Sequence, residues 1–172
     1  MKRTKKITLS AMFSALGVVI LLLASVMQVA DIAVSMLASA LVMLALIELG
    51  QSFAVMIYLA TSFLSLAFLP NKFIAAVYLA FSGLYPILKR FFDRRGRVLS
   101  VILKALYFNG ALTGALLLAK FVFTLGEEYT GWYLAVYYVI ANIAFWLFDI
   151  CISRMTLAYM TLWREKFRRF FK

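Results

Sequence analysis

Residues 7–27 read ITLSAMFSALGVVILLLASVM, without a charged side chain. A helix needs about 20 mainly apolar residues to cross the hydrocarbon core of a bilayer, and this stretch has that length. The basic opening Met1-Lys-Arg-Thr-Lys-Lys6 precedes it, as in a secretory signal peptide. The stretch is long for a signal peptide's apolar region, however, and no clear Ala-x-Ala cleavage site follows. We therefore predict a retained first transmembrane helix.

Five more helices are predicted downstream, separated by short polar turns. Gly50 is suited to ending the second helix, Pro70 stops the third, and Pro86 is expected to distort the last turn of the fourth. The fold predicted is an all-α membrane protein, a bundle of six transmembrane helices forming one domain over residues 1–172. The five downstream helices are expected at about residues 32–47, 52–69, 72–88, 98–125 and 132–163.

The composition supports a lipid environment. Of the 172 residues, 66% are hydrophobic, whereas soluble domains are nearer half apolar. The net charge is +11, but its basic residues fall in clusters between apolar stretches, which argues against nucleic-acid binding. Such clusters mark cytoplasmic loops. Six spans place residues 2–6, 89–97 and 164–172 on one side, so we expect a plasma-membrane protein with both termini in the cytoplasm.

Several classes of chemistry are excluded by residue counts. The chain has no His and one Cys, Cys151, so an internal disulfide, a Cys/His metal site and a His general base are all absent. No Gly-rich phosphate loop occurs, and the chain therefore has no ordinary means of hydrolysing ATP itself. We expect no catalytic residue, no metal and no cofactor, and hence a protein that is not an enzyme.

Polar residues within the predicted spans are the candidate functional residues, because they are costly in hydrocarbon. Lys104 and Asp149 lie at similar depths on helices five and six, which predicts a structural ion pair or a functional coupling role. Asn109 and Asn142 also match in depth. They either form an interhelical hydrogen bond or project into a ligand cavity. Lys120 either snorkels to the outer surface or offers a cation to an acidic ligand.

Tyr78, Ser82 and Tyr85 recur at helical spacing on the fourth helix. Aromatic side chains at such spacing serve packing more often than binding. Both interpretations stay open for these three residues.

The first helix carries a more specific pattern. Lys5-Lys-Ile-Thr-Leu-Ser-Ala-Met-Phe-Ser-Ala-Leu-Gly17 places Ala11 and Ala15 one turn apart, and small residues at this spacing let another helix approach closely. A basic N-terminus followed by this AxxxA motif resembles the substrate-binding S component of an energy-coupling factor (ECF) vitamin transporter. The chain length, the six spans and the compact loops resemble that family in outline.

The resemblance implies a subunit that binds a small nutrient, such as a vitamin, on its outer face. It would dock through Ala11 and Ala15 on a transmembrane coupling subunit with two ATPase subunits, which supply the energy for uptake. Alternating access would come from toppling of the subunit within the membrane lipids. By depth and helix, the expected ligand contacts are Tyr78, Ser82, Asn109, Lys120 and Asn142.

Two alternatives remain. A non-transporting scaffold of MreD-like type would use Ala11 and Ala15 for a permanent partner and would have no outer cavity. A small lipid-handling membrane protein would have a cavity that opens sideways to lipid. The presence and direction of a cavity separate the three functions.

Overall fold

The computed structural model describes residues 3–27, 31–123 and 132–163. Helix is the only regular structure in these ranges, so the all-α prediction is confirmed for them. Two π-helical turns interrupt or extend the α-helices, Tyr78–Ser82 after the fourth and Tyr159–Trp163 after the last. The α-helices are α1 (Arg3–Met27), α2 (Asp31–Glu48), α3 (Gln51–Phe68), α4 (Lys72–Val77), α5 (Tyr85–Phe92), α6 (Arg97–Phe123) and α7 (Trp132–Ala158).

Within the described ranges, five helical stretches are long and apolar enough to cross a membrane. They are α1, α3, α6, α7 with its π-helical turn, and the combined stretch Lys72–Phe92. The apolar part of α2, Ala33–Glu48, is shorter. The fold is therefore compatible with a membrane location. The sixth span of the predicted bundle depends on α2.

Two predicted boundaries are wrong, because backbone hydrogen bonds do not stop where hydropathy falls. Helix α1 begins at Arg3 and takes up most of the basic opening. The polar loop expected from residue 89 begins only after Phe92, where α5 ends. Lys89 is buried, with its ammonium 5.9 Å from the centre of the Tyr85 ring. The contact with the Tyr85 ring accommodates the charge of Lys89, so that α5 continues past this residue.

Pro86 lies where the fourth predicted helix breaks, as its chemistry requires. Proline has no N–H and crowds the carbonyl four residues earlier, so the α-helical pattern cannot pass through it unchanged. The chain forms the π-helical turn Tyr78–Ser82 instead, and Gly83 N donates to Tyr78 O at 2.8 Å. Helix α5 then restarts at Tyr85. This turn fixes where the Tyr78 and Ser82 side chains point.

The chain packs as two compact units. The first comprises Met1–Phe91 with Ile152–Lys172, and the second comprises Phe92–Cys151. In the first unit α1, α2 and α3 pack on one another, and α2 and α3 also pack on the π-helical turn. Alanines at this interface let the helices approach closely, as expected in hydrocarbon. The fully or almost fully buried alanines are Ala24, Ala38, Ala45, Ala54 and Ala75.

The second unit is an antiparallel pairing of α6 with the part of α7 up to Cys151. Phe108 and Phe145 stack face to face, with ring centroids 4.5 Å apart and planes 6° from parallel. Polar side chains meet on either side of this stack. The prediction of one six-helix domain stays a prediction, since each unit has its own packing.

Gly83 provides a test of the packing around the π-helical turn. Its backbone is helical (φ −74°, ψ −35°), so alanine suits the conformation. A Cβ there, however, would lie 2.8 Å from the Tyr78 ring and 2.9 Å from the Tyr58 ring. We expect Gly83→Ala to lower the free energy of unfolding by about 1–3 kcal/mol, measured in detergent with SDS as denaturant.

Gly110→Ala is the matched control, because a Cβ at Gly110 meets nothing within 4 Å. Alanine is favoured over glycine inside a helix by up to about 1 kcal/mol. The control should therefore be neutral or mildly stabilising. Equal effects of the two substitutions would contradict the packing at Gly83.

Candidate functional site

Tyr78 and Ser82 lie on the π-helical turn and are buried, with 1% and 0% of their surface exposed. The helix that leads into the turn starts at a fixed point. Asn71 caps α4 by accepting a hydrogen bond from Phe73 N at 3.0 Å, and Asn71 N donates to Ser25 Oγ at 2.9 Å. The cap and Pro86 thus hold both ends of the segment that carries the two predicted residues.

Hydroxyl groups of α3 and the π-helical turn form a buried cluster in the first unit. Tyr58 Oη donates to Leu79 O at 2.8 Å, and the Tyr58 and Tyr78 ring centroids are 6.4 Å apart. The Thr61 hydroxyl lies beside the Tyr78 phenol. We call Tyr58, Thr61, Ser62, Ser65, Tyr78 and Ser82 the hydroxyl cluster.

Two members of the hydroxyl cluster are unusual for a membrane interior. Ser65 Oγ and Ser82 Oγ are buried and make no hydrogen bond within the described part of the chain. Buried polar groups normally have a partner, since leaving one unpaired costs about 1–3 kcal/mol. By contrast, the equally buried Ser39 donates to Met36 O at 2.6 Å. The cluster is therefore chemically suited to a ligand with neutral hydrogen-bonding groups.

A polar ladder joins α6 and α7 in the second unit. We use this name for the pairs Lys104–Asp149, Asn109–Asn142 and Thr113–Tyr138. The Thr113 and Tyr138 hydroxyls are 2.8 Å apart. From one pair to the next the residue numbers rise along α6 and fall along α7, as in any antiparallel pair of helices. Since hydrocarbon offers polar groups no partner, these contacts stabilise the pairing of the two helices.

The structure brings Lys104 and Asp149 together, with Nζ 3.3 Å from Oδ2. It adds a second carboxylate that the sequence did not reveal, because Asp93 Oδ1 is 2.6 Å from the same ammonium. Ser100 Oγ also donates to Asp93 Oδ1, at 2.8 Å. Only 6% of Lys104 is exposed. Two carboxylates compensate this buried charge, as a buried cation requires.

Asn109 and Asn142 bond to each other rather than to the surroundings. Each Nδ2 donates to the other's Oδ1 at 3.1 Å. Each Nδ2 also donates to the carbonyl four residues earlier in its own helix, Ala105 O and Tyr138 O respectively. Both hydrogens of each amide are thus used. This geometry favours the interhelical hydrogen bond over projection into a ligand cavity.

The remaining predicted residues belong to neither the hydroxyl cluster nor the polar ladder. Ala11 and Ala15 are exposed on α1, one turn apart. Lys120 belongs to α6, but its side chain lies outside the described residues. Among the described residues, no group of three His, Cys, Asp or Glu side chains is placed to hold a metal ion.

Sequence reasoning missed several members of both polar clusters. Tyr58, Thr61 and Ser65 follow one another at three- and four-residue steps on α3, which puts them on one helix face. Thr113 and Tyr138 each lie four residues from a predicted asparagine, and that spacing was a signal available in the sequence. Asp93 carried no such signal, because it lies in a loop among arginines.

The Asn109–Asn142 pair provides a direct test of the polar ladder. In a double-mutant cycle of Asn109→Leu and Asn142→Leu, we expect a coupling free energy of about 0.6 kcal/mol and at most about 1.7 kcal/mol. Reversible unfolding in SDS–detergent mixtures measures it. Thr156→Val is the control partner for Asn109→Leu, since the Thr156 hydroxyl donates to its own helix at Ile152 O. The coupling free energy of this control pair should be near zero. A coupling free energy of zero between Asn109 and Asn142 would contradict their pairing.

Comparison of this chain with protein-family models, curated proteins and solved structures finds no match. Its function is therefore argued from the chemistry and placement of its own side chains.

Proposed function

We propose that this chain is the substrate-specific membrane subunit of an uptake system, similar to the S component of an ECF transporter. It spans the plasma membrane six times, with both termini in the cytoplasm. It binds a small nutrient such as a vitamin on its outer face and relies on a transmembrane coupling subunit and ATPase subunits for energy. The observation that carries the proposal is the exposure of Ala11 and Ala15 on α1.

Exposed small residues are what a docking helix face requires. Alanines one turn apart leave a shallow groove in which a partner helix approaches closely. The bulky exposed side chains of Met12 and Leu16, which directly follow the two alanines, border this groove. The groove is open in the described chain, so a partner could use it without displacing any part of the same unit.

The sixth span is assigned to α2. Its 18 residues extend about 27 Å at 1.5 Å per residue, close to the hydrocarbon thickness of about 30 Å. With six spans, the basic residues of the opening, of the loop after α5 and of the tail share one side. With five they would be divided between both sides, against the usual distribution of Lys and Arg.

The ligand is proposed to contact the hydroxyl cluster, which includes the predicted residues Tyr78 and Ser82. Ser65 and Ser82 retain a donor and acceptors for it. Asn109 and Asn142 already satisfy each other, so they are withdrawn from the proposed contacts. Lys120 stays a proposed contact from sequence alone.

A non-transporting scaffold of MreD-like type is the second candidate, and the Asn109–Asn142 pair favours it. Polar groups that are satisfied within the chain stabilise a fixed structure and need no ligand. The lipid-handling alternative has no comparable support from the hydroxyl cluster, which is neutral and buried.

Native mass spectrometry of the full chain in mild detergent tests the ligand. We expect a vitamin-sized adduct, with occupancy lowered about fivefold by Ser82→Ala, as loss of one hydrogen bond worth about 1 kcal/mol implies. Ser39→Ala is the control, because that hydroxyl donates to its own helix. It should leave occupancy unchanged. Absence of any adduct after addition of candidate vitamins would instead support the scaffold.

Docking is tested by enlarging the alanines. We expect Ala11→Leu with Ala15→Leu to abolish co-purification of an ATPase and a multi-pass membrane partner from native membranes, because two added isobutyl groups fill the groove. Ala60→Leu with Ala67→Leu is the control, since both alanines are exposed on α3 and the added volume is the same. Partners identified by peptide sequencing that persist with the α1 variant would contradict the docking proposal.

A further inference from the structure

An open hollow of about 350 Å³ lies beside the first turns of α6, in the second unit. It combines two cations, a carboxylate and a hydroxyl with one apolar side chain. This mixture differs from the neutral hydroxyl cluster, and nothing in the proposed transport function uses it. Its lining residues are Asp93, Gly96, Arg97, Ser100, Val101 and Lys104.

The charge of this region is positive. Arg97 and Lys104 line the hollow, and Arg94 and Arg95 are exposed in the loop just before α6. The carboxylates in the described part of the same unit are Asp93 and Asp149, and both contact the Lys104 ammonium. Lys104 offsets one of their two negative charges, and Arg94 and Arg97 bring the net charge of these five side chains to +1, which attracts an anion. Arginine suits a phosphate particularly well, since its planar guanidinium donates two parallel hydrogen bonds.

An apolar surface adjoins the hollow. Val98 and Ile102 are 74% and 55% exposed on the first two turns of α6. Val101 lines the hollow and is itself half-exposed, so it joins the charged and apolar surfaces. A ligand that has an anionic group and a hydrocarbon chain can therefore use both at once, which a soluble phosphate cannot.

We propose that this hollow binds the phosphodiester headgroup of an anionic phospholipid. Arg97 donates to the phosphate, and the acyl chains lie along Val98, Val101 and Ile102. Ser100 does not contact the phosphate as a donor, because its hydroxyl already donates to Asp93 Oδ1. Lys104 acts indirectly, because it holds the Asp93 carboxylate and reduces its repulsion of the lipid. The site is independent of the hydroxyl cluster and of the docking alanines, so its test does not depend on transport.

The experiment is native mass spectrometry of the full chain in mild detergent, with equimolar phosphatidylglycerol and phosphatidylcholine added. Detergent removes the surface potential of a bilayer, and only lipid held by the protein then remains. We expect retention of phosphatidylglycerol over phosphatidylcholine. Arg97→Gln should lower that retention about tenfold, because it removes a charge-assisted hydrogen bond to the phosphate.

Arg94→Gln is the matched control, since it removes the same charge from an exposed arginine of the loop before α6 that does not line the hollow. It should change retention less than about twofold, because charge outside the site acts only at a distance. Asp93→Asn removes a negative charge from the lining and should raise phosphatidylglycerol retention. Because a folding defect would lower lipid retention, an increase with Asp93→Asn cannot be explained by misfolding.

Three results would overturn the proposal. Equal retention of the two lipids would remove the headgroup preference. Equal effects of Arg97→Gln and Arg94→Gln on retention would mean that general surface charge attracts the lipid, and not the hollow. Displacement of the lipid by inorganic phosphate or glycerol phosphate, with those ions retained in its place, would identify a soluble phosphate site instead.

Discussion

Five long apolar helices make the described chain compatible with a membrane, whose hydrocarbon would offer polar groups no partner. The structure depends on the resulting requirement that polar groups find partners within the protein. The backbone meets it by forming helices throughout the described ranges. Side chains meet it in the polar ladder, where Lys104 contacts Asp149 and Asn109 bonds to Asn142. The ladder pairs α6 with α7, and it does so with hydrogen bonds where a soluble protein would rely mainly on apolar burial.

Helix contacts and polar groups are arranged differently in the first unit. Its helices approach through buried alanines, and the hydroxyl cluster lies on α3 and the π-helical turn. Pro86 creates that turn by interrupting the α-helical hydrogen bonds, so a backbone defect places Tyr78 and Ser82 in the interior. The resulting cluster leaves Ser65 and Ser82 with unused bonding capacity. Candidate function thus concentrates where the helix is irregular.

The polar residues fall into two groups. Some use their hydrogen-bonding capacity within the fold, and others keep it available for a ligand. Asn109 and Asn142 belong to the first group, since each amide uses both of its hydrogens within α6 and α7. Ser82 and Arg97 belong to the second, one in a buried neutral cluster and the other in an open basic hollow. The two sites favour different ligands, a neutral hydrogen-bonding molecule and an anionic lipid.

The presence of the helices and their approximate lengths could be predicted from the sequence alone. A helix that crosses hydrocarbon needs a long apolar stretch, and the thickness of the bilayer sets its length. Depth counting also placed Lys104 opposite Asp149, since helical rise is constant. The extension of α5 to Phe92, the second carboxylate at Lys104 and the burial of Ser65 with Ser82 needed the folded structure. These depend on which faces of distant segments meet, and that is decided by packing among helices rather than by the pattern within any one of them.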